Sequence, residues 1–360
     1  MKIIFSGGGT LGPVTPLLAV AEVYAQKYLD TEFVWVGTKN GLEKEFVEKN
    51  QIRFVALTSG KWRRYFSIWN IFDIFLVVIG FFQSFFFLMK EKPDLLISAG
   101  GFVSVPLHWA GALLGIPQWI HQQDWQIGLA NKLMAPFADT ITVALKKNLP
   151  EFNQDKTVWL GNPVRSQILQ GDKECAKKRF NIHSDLPVIF AMGGGTGSFR
   201  INQLVVESIS HLQGVCEIIH LSGKERTQEL VDHASKFFDF YHHYQFFTDE
   251  MADAYAIADV IISRGGFGSI SEIAALSKPA ILIPKPGHQY DNVKFIADEK
   301  AAIFVDERTA DGNYLAKLIK ELLADDIEKR RLGKKITNVM PIAKPEEITG
   351  TIDRLVGRVL

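Results

Sequence analysis

Short apolar runs alternate with helical patterns along almost the whole chain. Twelve runs predict strands: Lys2–Phe5, Glu32–Val36, Phe54–Leu57, Asp94–Ser98, Gln118–His121, Thr140–Val143, Val188–Met192, Glu217–Leu221, Tyr244–Phe247, Val260–Ser263, Ala280–Ile283 and Ala302–Val305. Helical patterns lie between them, for example Pro16–Tyr28 and Asn202–Leu212. Such alternation is typical of parallel sheets joined by right-handed crossover helices. The pattern therefore predicts an α/β protein.

The alternation is interrupted once, at the turn-rich segment Leu160–Arg165. A chain of 360 residues is also long for a single hydrophobic core. We therefore expect two Rossmann-like, doubly wound domains that face each other across a cleft, residues 1–162 and 163–344. In such sheets ligands bind at the carboxyl ends of the strands.

Composition narrows the class of protein. The apolar fraction is 47% and the charged fraction 22%, as in folded proteins, and forty basic residues balance forty acidic ones. This balance argues against nucleic acid as a partner. Cys175 and Cys216 have no zinc or redox spacing, which indicates reduced thiols. The apolar run at residues 1–7 is too short for a signal peptide and predicts a first strand inside a cytoplasmic protein.

Glycine-rich turns follow three of the predicted strands. They are Gly7–Pro13, Gly193–Ser198 and Ser263–Ser269. Backbone N–H groups in such turns can cradle a phosphate, although tight strand-to-helix turns also use glycine for steric reasons. None combines the G-x-G-x-x-G pattern with a ribose-binding acid at the end of the following strand, and none is a Walker loop with its Gly-Lys-Ser/Thr. Dinucleotide oxidoreductases and nucleotide hydrolases are therefore disfavoured.

The third turn carries the most specific chemistry. The strand Val260–Ser263 runs into a glycine turn, and Glu272 is predicted in the first turn of the helix that follows. A carboxylate would repel phosphate, so Glu272 is expected to accept hydrogen bonds from sugar hydroxyls. The segment Pro284–Asn292 adds amide and imidazole groups after the next strand. Phosphate donors beside groups that bind sugars indicate a nucleotide-sugar site.

The segment Trp62–Met89 is unusually apolar. Its most apolar part, Ile74–Met89, is a little short for a membrane span, which needs roughly 20 apolar residues. The segment also lies between two strands predicted to share one sheet. Two interpretations remain: a buried crossover helix, and an interfacial helix whose apolar face meets lipid beside a basic cluster. The residues expected at the membrane are Trp62, Arg63, Arg64, Trp69, Phe72 and Phe75.

No Asp-x-Asp pair lies near the glycine turns, so neither a metal ion on a diphosphate nor any other cofactor is expected. Adjacent His242 and His243 would point to opposite faces of a strand and are poor joint metal ligands. They are expected at the surface.

Taken in order, the motifs resemble the MurG family of bacterial peptidoglycan glycosyltransferases. The resemblance covers nearly the whole chain and rests on Gly8-Gly9-Thr10 with Gly12 and Pro16, and on Ala99–Ser104, His121–Asp124, Gly161–Arg165, Gly193–Asn202, His220–Lys224, Asp249–Asp259, Ser263–Glu272 and Pro284–Asn292. It implies a GT-B fold and inverting transfer of N-acetylglucosamine from UDP-N-acetylglucosamine to lipid I. It also implies a peripheral location on the cytoplasmic membrane face, and a C-terminal helix at about 345–360 that returns to the first domain.

The resemblance also assigns roles to residues. Phe247, Thr248 and Arg165 match contacts to uracil and diphosphate, and Glu272 matches a ribose ligand. Gln289 and Asn292 match the segment that binds the sugar hydroxyls, and Asn202 an asparagine that faces the cleft. The glycine turns add Gly195, Thr196 and Gly266 for the donor, and Gly9, Thr10, Leu11 and Gly12 for the acceptor. Asn202 as a helix cap and Phe247 as a core residue are the alternatives.

The acceptor half departs from the family pattern. Pro13 replaces the usual histidine of the first glycine turn, Phe102 replaces a tyrosine, and His121-Gln122-Gln123-Asp124 replaces His-Glu-Gln-Asn. Inverting transfer needs a group that takes the proton of the acceptor hydroxyl. Asp124 is the first candidate and His121 the second. Asp124 could equally cap the helix that starts near Gly128.

Two other classes of function remain open. One is an enzyme of the same fold with different chemistry, such as a sugar-nucleotide epimerase or a transferase with another lipid acceptor. The apolar segment favours a lipid acceptor over an epimerase. The other is a non-catalytic protein that binds UDP-sugar or a membrane partner. The joint presence of Arg165, Glu272, Gln289 and Asn292 argues against a degenerate site.

Overall fold

The computed structural model describes residues 1–9, 11–39, 41, 43–60, 69–194, 197–224, 228–247 and 249–358, with the backbone alone for residues 69–72. The strands are β1 Lys2–Ser6, β2 Glu32–Gly37, β3 Arg53–Ala56, β4 Leu95–Ser98, β5 Gln118–Gln122, β6 Thr140–Val143, β7 Thr157–Trp159, β8 Val188–Met192, β9 Glu217–Leu221, β10 Tyr241–Tyr244, β11 Val260–Ser263, β12 Ala280–Leu282 and β13 Ile303–Phe304.

The helices fill the connections between these strands. They are α1 Val14–Lys27, α2 Glu43–Lys49, α3 Trp69–Glu91, α4 Ser104–Leu113, α5 Leu129–Met134, α6 Lys173–Arg179, α7 Phe199–Ile209, α8 Glu229–Ser235, α9 Met251–Ile257, α10 Phe267–Ala275, α11 His288–Asp298, α12 Gly312–Ala324, α13 Asp326–Val339 and α14 Pro345–Leu355. Every pairing between neighbouring strands is parallel.

Two compact units divide the chain. Unit 1 contains residues 1–165 and 342–360, and unit 2 contains residues 166–341. The boundaries expected from sequence, 162/163 and 344/345, lie within three residues of these. Arg165, which the sequence-based boundary places in the second domain, therefore belongs to unit 1. The C-terminal helix α14 also belongs to unit 1.

Unit 1 is a seven-stranded sheet in the order β3-β2-β1-β4-β5-β6-β7. Side chains alternate across the strands, so Ile3 and Phe5 join a core under α1 and α14, whereas Ile4 joins a core under α3 and α4. Helices on both faces explain why these strands are continuous apolar runs.

The C-terminal helix α14 is held to α1 by a buried carboxylate. Asp353 is 1% exposed and accepts hydrogen bonds from the hydroxyls of Tyr24 and Tyr28, both at 3.0 Å. Lys27 forms an ion pair with it at 2.9 Å. Because a buried charge needs partners, these contacts fix α14 on the first sheet.

Unit 2 is a six-stranded sheet in the order β10-β9-β8-β11-β12-β13. Its main core lies between the sheet and helices α7, α8 and α12. Aromatic rings fill the other face, where Phe190 contacts Phe247 and Tyr255. The predicted class, two doubly wound parallel α/β domains, is confirmed.

The helix α3 connects two strands of the same sheet, β3 and β4, so it is a crossover helix as predicted. The segment Asp73–Glu91 is also the one helix among the described residues that is long and apolar enough to cross a membrane, by length and composition. Trp62, Arg63 and Arg64 lie outside the described residues, as do the side chains of Trp69 and Phe72.

Two strand predictions need correction. β7 was not predicted because it has only three residues at a half-exposed edge of the sheet. The strand predicted at Tyr244–Phe247 lies three residues earlier, at Tyr241–Tyr244. The start of this strand was not predicted because His242 and His243 are polar. Their side chains are half-buried against β9 and α8, whereas they were expected at the surface. His242 contacts Glu217 at 2.8 Å, and His243 contacts Asp232 at 3.3 Å.

Candidate functional site

In unit 2, two glycine turns meet where the strand order reverses. β8 lies between β9 and β11, and the turns after β8 and β11 are therefore neighbours at the carboxyl edge of the sheet. This is the position at which open α/β sheets bind ligands. Of the predicted site residues, Gly195, Thr196 and Thr248 lie outside the described residues, as does Thr10 in unit 1.

The turn after β8 leads directly into α7. Gly194 and Gly197 have φ values of 82° and 76°, which a residue with a side chain rarely adopts. Ser198 caps the helix by accepting the Ile201 N–H at 3.2 Å. Asn202 is therefore not the helix cap. The cap fixes the start of a helix whose free N–H groups favour an anion.

Arg264 joins the two turns, a role that the sequence did not indicate. Its guanidinium donates to the Ser198 hydroxyl, to the Glu307 carboxylate and, at 3.0 Å, to the Ile283 carbonyl. A planar guanidinium can serve several acceptors in a fixed geometry. The signal in the sequence was its place immediately before Gly265-Gly266.

Glu272 lies in the second turn of α10, not in the first as predicted, because the helix begins at Phe267. Its side chain is 7% exposed and accepts a hydrogen bond from the Tyr255 hydroxyl at 2.9 Å. Tyr255 therefore orients the carboxylate that is predicted to bind ribose. Gly266, the residue that precedes α10, has open space where a Cβ would lie.

Asn292 and Gln289 lie on α11 but face different surroundings. Asn292 is 1% exposed and donates to the Gly265 carbonyl at 3.1 Å, so it fixes the glycine turn. Its contact with sugar hydroxyls stays a prediction. Gln289 is half-buried and accepts the Lys285 N–H at 3.4 Å. Gly265 permits this close packing, because a Cβ there would lie 2.6 Å from the Gln289 carbonyl oxygen.

Asn202 belongs to a buried polar network. It donates to the Ser222 carbonyl at 3.1 Å, and its side-chain oxygen lies 3.1 Å from His220 Nε2. The other nitrogen of His220 contacts the Tyr241 hydroxyl at 2.6 Å. Burial lowers the pKa of His220 to about 3, so the ring is neutral. His220 fixes the orientation of Asn202, a role that the sequence did not indicate.

Phe247 is a core residue, the alternative left open by the sequence. Its side chain packs on Phe180, Phe190 and Tyr244, with ring centroids 5.2 to 6.0 Å apart. Only the backbone of Phe247 remains as a candidate contact to the uracil ring.

In unit 1 the strand order reverses between β1 and β4, and two glycine turns meet there as well: the first is Gly7-Gly8-Gly9 after β1, and the second is Gly100-Gly101 after β4. A Cβ on Gly101 would lie 2.9 Å from the backbone nitrogen of Gly8. Beyond the first turn, Leu11 accepts the N–H groups of Val14 and Thr15, and Gly12 lies within this connection to α1. The short distance between Gly101 and Gly8 shows that the second turn packs directly on the first.

The first glycine turn differs from the predicted phosphate loop in one respect. The Gly9 N–H already donates to the Glu43 carboxylate, at 3.3 Å. A negative charge at this position disfavours a phosphate on the same amide. The turn is thus shaped by the protein itself, and Glu43 is a third residue, after Arg264 and His220, whose role the sequence did not indicate.

His121 is a buried structural residue. It is 1% exposed, its Nε2 lies 2.9 Å from the Asn162 side-chain oxygen, and its Nδ1 lies 2.8 Å from the Thr142 hydroxyl. Burial lowers the pKa of His121 to about 4. Because both ring nitrogens already contact protein groups, the ring is poorly placed to take a proton from a substrate. This argues against His121 as the second candidate for the general base.

Asp124 lies two residues beyond β5, on a loop that Gln122 organises. The Gln122 amide donates to the carbonyls of Asp124 and Gln126, at 2.9 and 3.0 Å, and accepts from Asn131 at 2.7 Å. Asn148 donates to the Asp124 carbonyl as well, at 2.9 Å. Glutamate at position 122 would lack these donors. Asp124 itself is half-buried, and it does not cap α5, because Gly128 precedes that helix.

Arg165 lies over an aromatic ring of α2. The centre of its guanidinium is 5.7 Å from the centroid of the Phe46 ring. Such a contact orients a guanidinium without neutralising its charge. Among the described residues, no group of three or more His, Cys, Asp or Glu side chains is placed to hold a metal ion.

Comparison with known proteins identifies the family. Residues 3–143 match the glycosyltransferase family 28 N-terminal domain, and residues 188–343 match the family 28 C-terminal domain. The chain belongs to glycosyltransferase family 28. The resemblance inferred from the motifs is thereby confirmed.

Named relatives match this chain over most of its length. A Clostridium perfringens UDP-N-acetylglucosamine--N-acetylmuramyl-(pentapeptide) pyrophosphoryl-undecaprenol N-acetylglucosamine transferase is 36% identical over 354 residues, which cover 95% of this chain and 98% of the relative. A Treponema denticola protein of the same name is 35% identical over 323 residues, 83% of this chain and 82% of its own.

Solved structures support the fold. Acinetobacter baumannii MurG superposes with a TM-score of 0.71 at 23% identity and covers 98% of both chains. A putative UDP-N-acetylglucosamine 2-epimerase from Listeria monocytogenes gives the same TM-score at 10% identity, over 98% of this chain and 95% of its own. The fold alone therefore does not separate transferases from epimerases, whereas the family does.

The buried histidines of unit 1 make its stability depend on pH. Burial lowers the pKa of His108 and His121 to about 4, whereas histidine in an unfolded chain titrates near 6.5. Between these values the unfolded chain binds protons that the folded chain does not, so stability falls as the pH drops. From pH 7 to pH 5 we expect a loss of about 2 kcal/mol for each histidine.

Urea unfolding followed by tryptophan fluorescence measures this effect. It reports on unit 1 alone because all the tryptophans lie there: Trp35, Trp62, Trp69, Trp109, Trp119, Trp125 and Trp159. The variant His121→Gln should be less stable at pH 7 but should lose about 2 kcal/mol less on acidification. An equal loss in both proteins would contradict the assignment of His121 as a buried neutral ring.

Proposed function

We propose that this chain transfers N-acetylglucosamine from UDP-N-acetylglucosamine to the muramyl sugar of lipid I. The observation that carries the proposal is the full-length similarity, at 36% identity, to a protein named for that reaction. The two glycine turns of unit 2, joined by Arg264, support a nucleotide-sugar donor. The alternative of an epimerase is supported by likeness of fold alone.

Donor binding is proposed to use backbone N–H groups for the diphosphate and polar side chains for the two sugars, at the edge of unit 2 where the strand order reverses. N–H groups at the starts of α7 and α10 favour the diphosphate, which the family resemblance also predicts to contact Arg165. The carboxylate of Glu272, oriented by Tyr255, suits the ribose hydroxyls. Gln289 and Asn292 on α11 are the candidates for the sugar hydroxyls; the Asn292 amide donates to the Gly265 carbonyl, and Gln289 is the more exposed of the two.

Transfer is proposed to proceed by direct displacement. The acceptor hydroxyl attacks the anomeric carbon, the bond to UDP breaks, and UDP leaves with the electron pair. Asp124 takes the proton of the hydroxyl, because its loop is fixed by Gln122 and Asn148 and its side chain is accessible. The positive charges and N–H groups of the donor site stabilise the diphosphate as it leaves.

The decisive assay combines UDP-N-acetylglucosamine with a short-chain analogue of lipid I, in the presence of a chelator, and determines the mass of the product. We expect the acceptor to gain one N-acetylhexosamine. UDP-N-acetylglucosamine bound without transfer would instead support a different acceptor or a binding protein, for which the Pro13 and Gln122 departures already provide a reason.

Replacement of Asp124 by asparagine tests the proposal that Asp124 is the general base. A general base contributes about 10²- to 10⁴-fold, so kcat should fall by that factor while the KM for the donor changes little. The matched control is Asp155→Asn, an exposed aspartate of unit 1, which should transfer at the wild-type rate. Near-normal turnover by Asp124→Asn at saturating donor would remove Asp124 from this role.

We also propose that unit 1 binds the membrane through α3. The exposed apolar residues of this helix are Ile74, Phe75, Leu76, Val78, Ile79, Phe82, Phe86 and Met89. Phe75, Phe82 and Phe86 are 64%, 54% and 66% exposed and recur at helical spacing, so they share one face. Large exposed apolar surfaces mark membrane or protein interfaces.

The opposite side of α3 is fixed to the protein. Gly80 is buried, and a Cβ there would lie 2.2 Å from the Thr58 carbonyl oxygen, while Leu88 belongs to the core under α3 and α4. A helix packed on one side cannot be surrounded by lipid. It suits an interfacial position, where one face enters the headgroup region and a lipid-linked acceptor is within reach.

Vesicle cosedimentation tests this surface. Replacing Phe75, Phe82 and Phe86 together by serine should abolish binding to vesicles that contain anionic lipid, whereas transfer to a short-chain acceptor should persist. The control is Phe237→Ser, which alters a phenylalanine of unit 2 that is 67% exposed. Undiminished vesicle binding by the triple variant would contradict a membrane role for α3.

A further inference from the structure

We propose that Glu43 is a positioning residue for the acceptor. Its carboxylate holds the first glycine turn, Gly7-Gly8-Gly9, in the shape that acceptor binding requires. The inference rests on the proposed transferase function and adds to it a residue that touches neither substrate.

The contacts of Glu43 connect two separate segments of unit 1. Oε1 accepts the backbone N–H and the hydroxyl of Thr38, at 2.8 and 2.5 Å. Oε2 accepts the Gly9 N–H at 3.3 Å. The carboxylate therefore bridges the connection after β2 and the glycine turn after β1.

The environment makes this carboxylate costly to keep. Glu43 is 0% exposed, and a buried charge is tolerated only where hydrogen bonds replace its water. Its place at the start of α2, where the helix dipole favours a negative charge, offsets part of the cost. An apolar side chain would fill the same space but could not accept N–H groups from two segments.

The glycine turn is enclosed by three independent contacts. Trp35 Nε1 donates to the Gly7 carbonyl at 3.0 Å, and Gly101 packs on the Gly8 backbone. On the remaining side, a Cβ on Gly8 would lie 2.3 Å from Glu43 Oε1. Glu43 supplies the one charged contact among these three. Loss of its bond to Gly9 should therefore loosen the end of the turn without disturbing the β1 side.

Glu43→Gln separates the two functions of the carboxylate. An amide has one oxygen and one NH₂ group, and the oxygen is best used where Thr38 supplies two donors. The NH₂ group then faces the Gly9 N–H, so this bond is lost while side-chain volume is kept. Because hydrogen bonds to charged groups are strong, we expect the KM for the lipid I analogue to rise about tenfold or more. The KM for UDP-N-acetylglucosamine should stay within about twofold of the wild-type value.

The matched control is Glu48→Gln on the same helix. Glu48 is exposed and pairs with Lys44 at 3.9 Å, so this variant should leave both KM values unchanged. Hydrogen–deuterium exchange supplies a measurement that does not depend on turnover. A peptide that covers the first glycine turn should exchange faster in Glu43→Gln than in the wild type or in Glu48→Gln.

The outcomes are distinguishable. Wild-type protein that fails to transfer would count against the proposed function, and the exchange measurement would still decide whether Glu43 holds the turn. Unchanged exchange in Glu43→Gln would overturn the inference. So would equal rises in the KM values for donor and acceptor, because those indicate a general loss of structure rather than positioning of the acceptor turn.

Discussion

Close packing of backbone on backbone at the carboxyl edge of each sheet is the constraint on which both candidate sites depend. In unit 1 the second glycine turn leaves no room for a side chain at Gly101 because the Gly8 backbone is in contact. In unit 2 Gly265 packs on Gln289 in the same way. Parallel strands bring such turns together where the strand order reverses, and removal of side chains exposes the N–H groups that a substrate can use.

Buried polar side chains also form fixed contacts within each unit. His121, Asn202 and Asn292 are all at most 3% exposed, and each contacts protein groups rather than open solvent. A buried polar atom without a partner costs more than a hydrogen bond returns, so such residues are committed to the scaffold. They support the site through the loops that they hold, and the half-buried residues beside them remain for substrate.

The departures from the family pattern acquire a physical meaning in this framework. Gln122 donates to two carbonyls of the loop that carries Asp124, which a carboxylate cannot do. The loss of one acid and the gain of another are therefore linked: the amide organises the loop, and the acid two residues later is accessible. Pro13 removes a side chain that could exchange a proton, while Glu43 stabilises the same turn from its buried side.

The sequence by itself determined the parallel α/β class, the two glycine-edged sheets and the family, because apolar periodicity and glycine turns are local signals. It also predicted the apolar helix α3. Only the tertiary structure decided which polar residues face solvent: Asn292 and His121 match family motifs but are buried, and Phe247 is a core residue. Arg264, Glu43 and His220 were missed because each has a partner that lies 18 to 66 residues away in sequence. Such contacts arise from the packing of strands and helices, which local pattern does not encode.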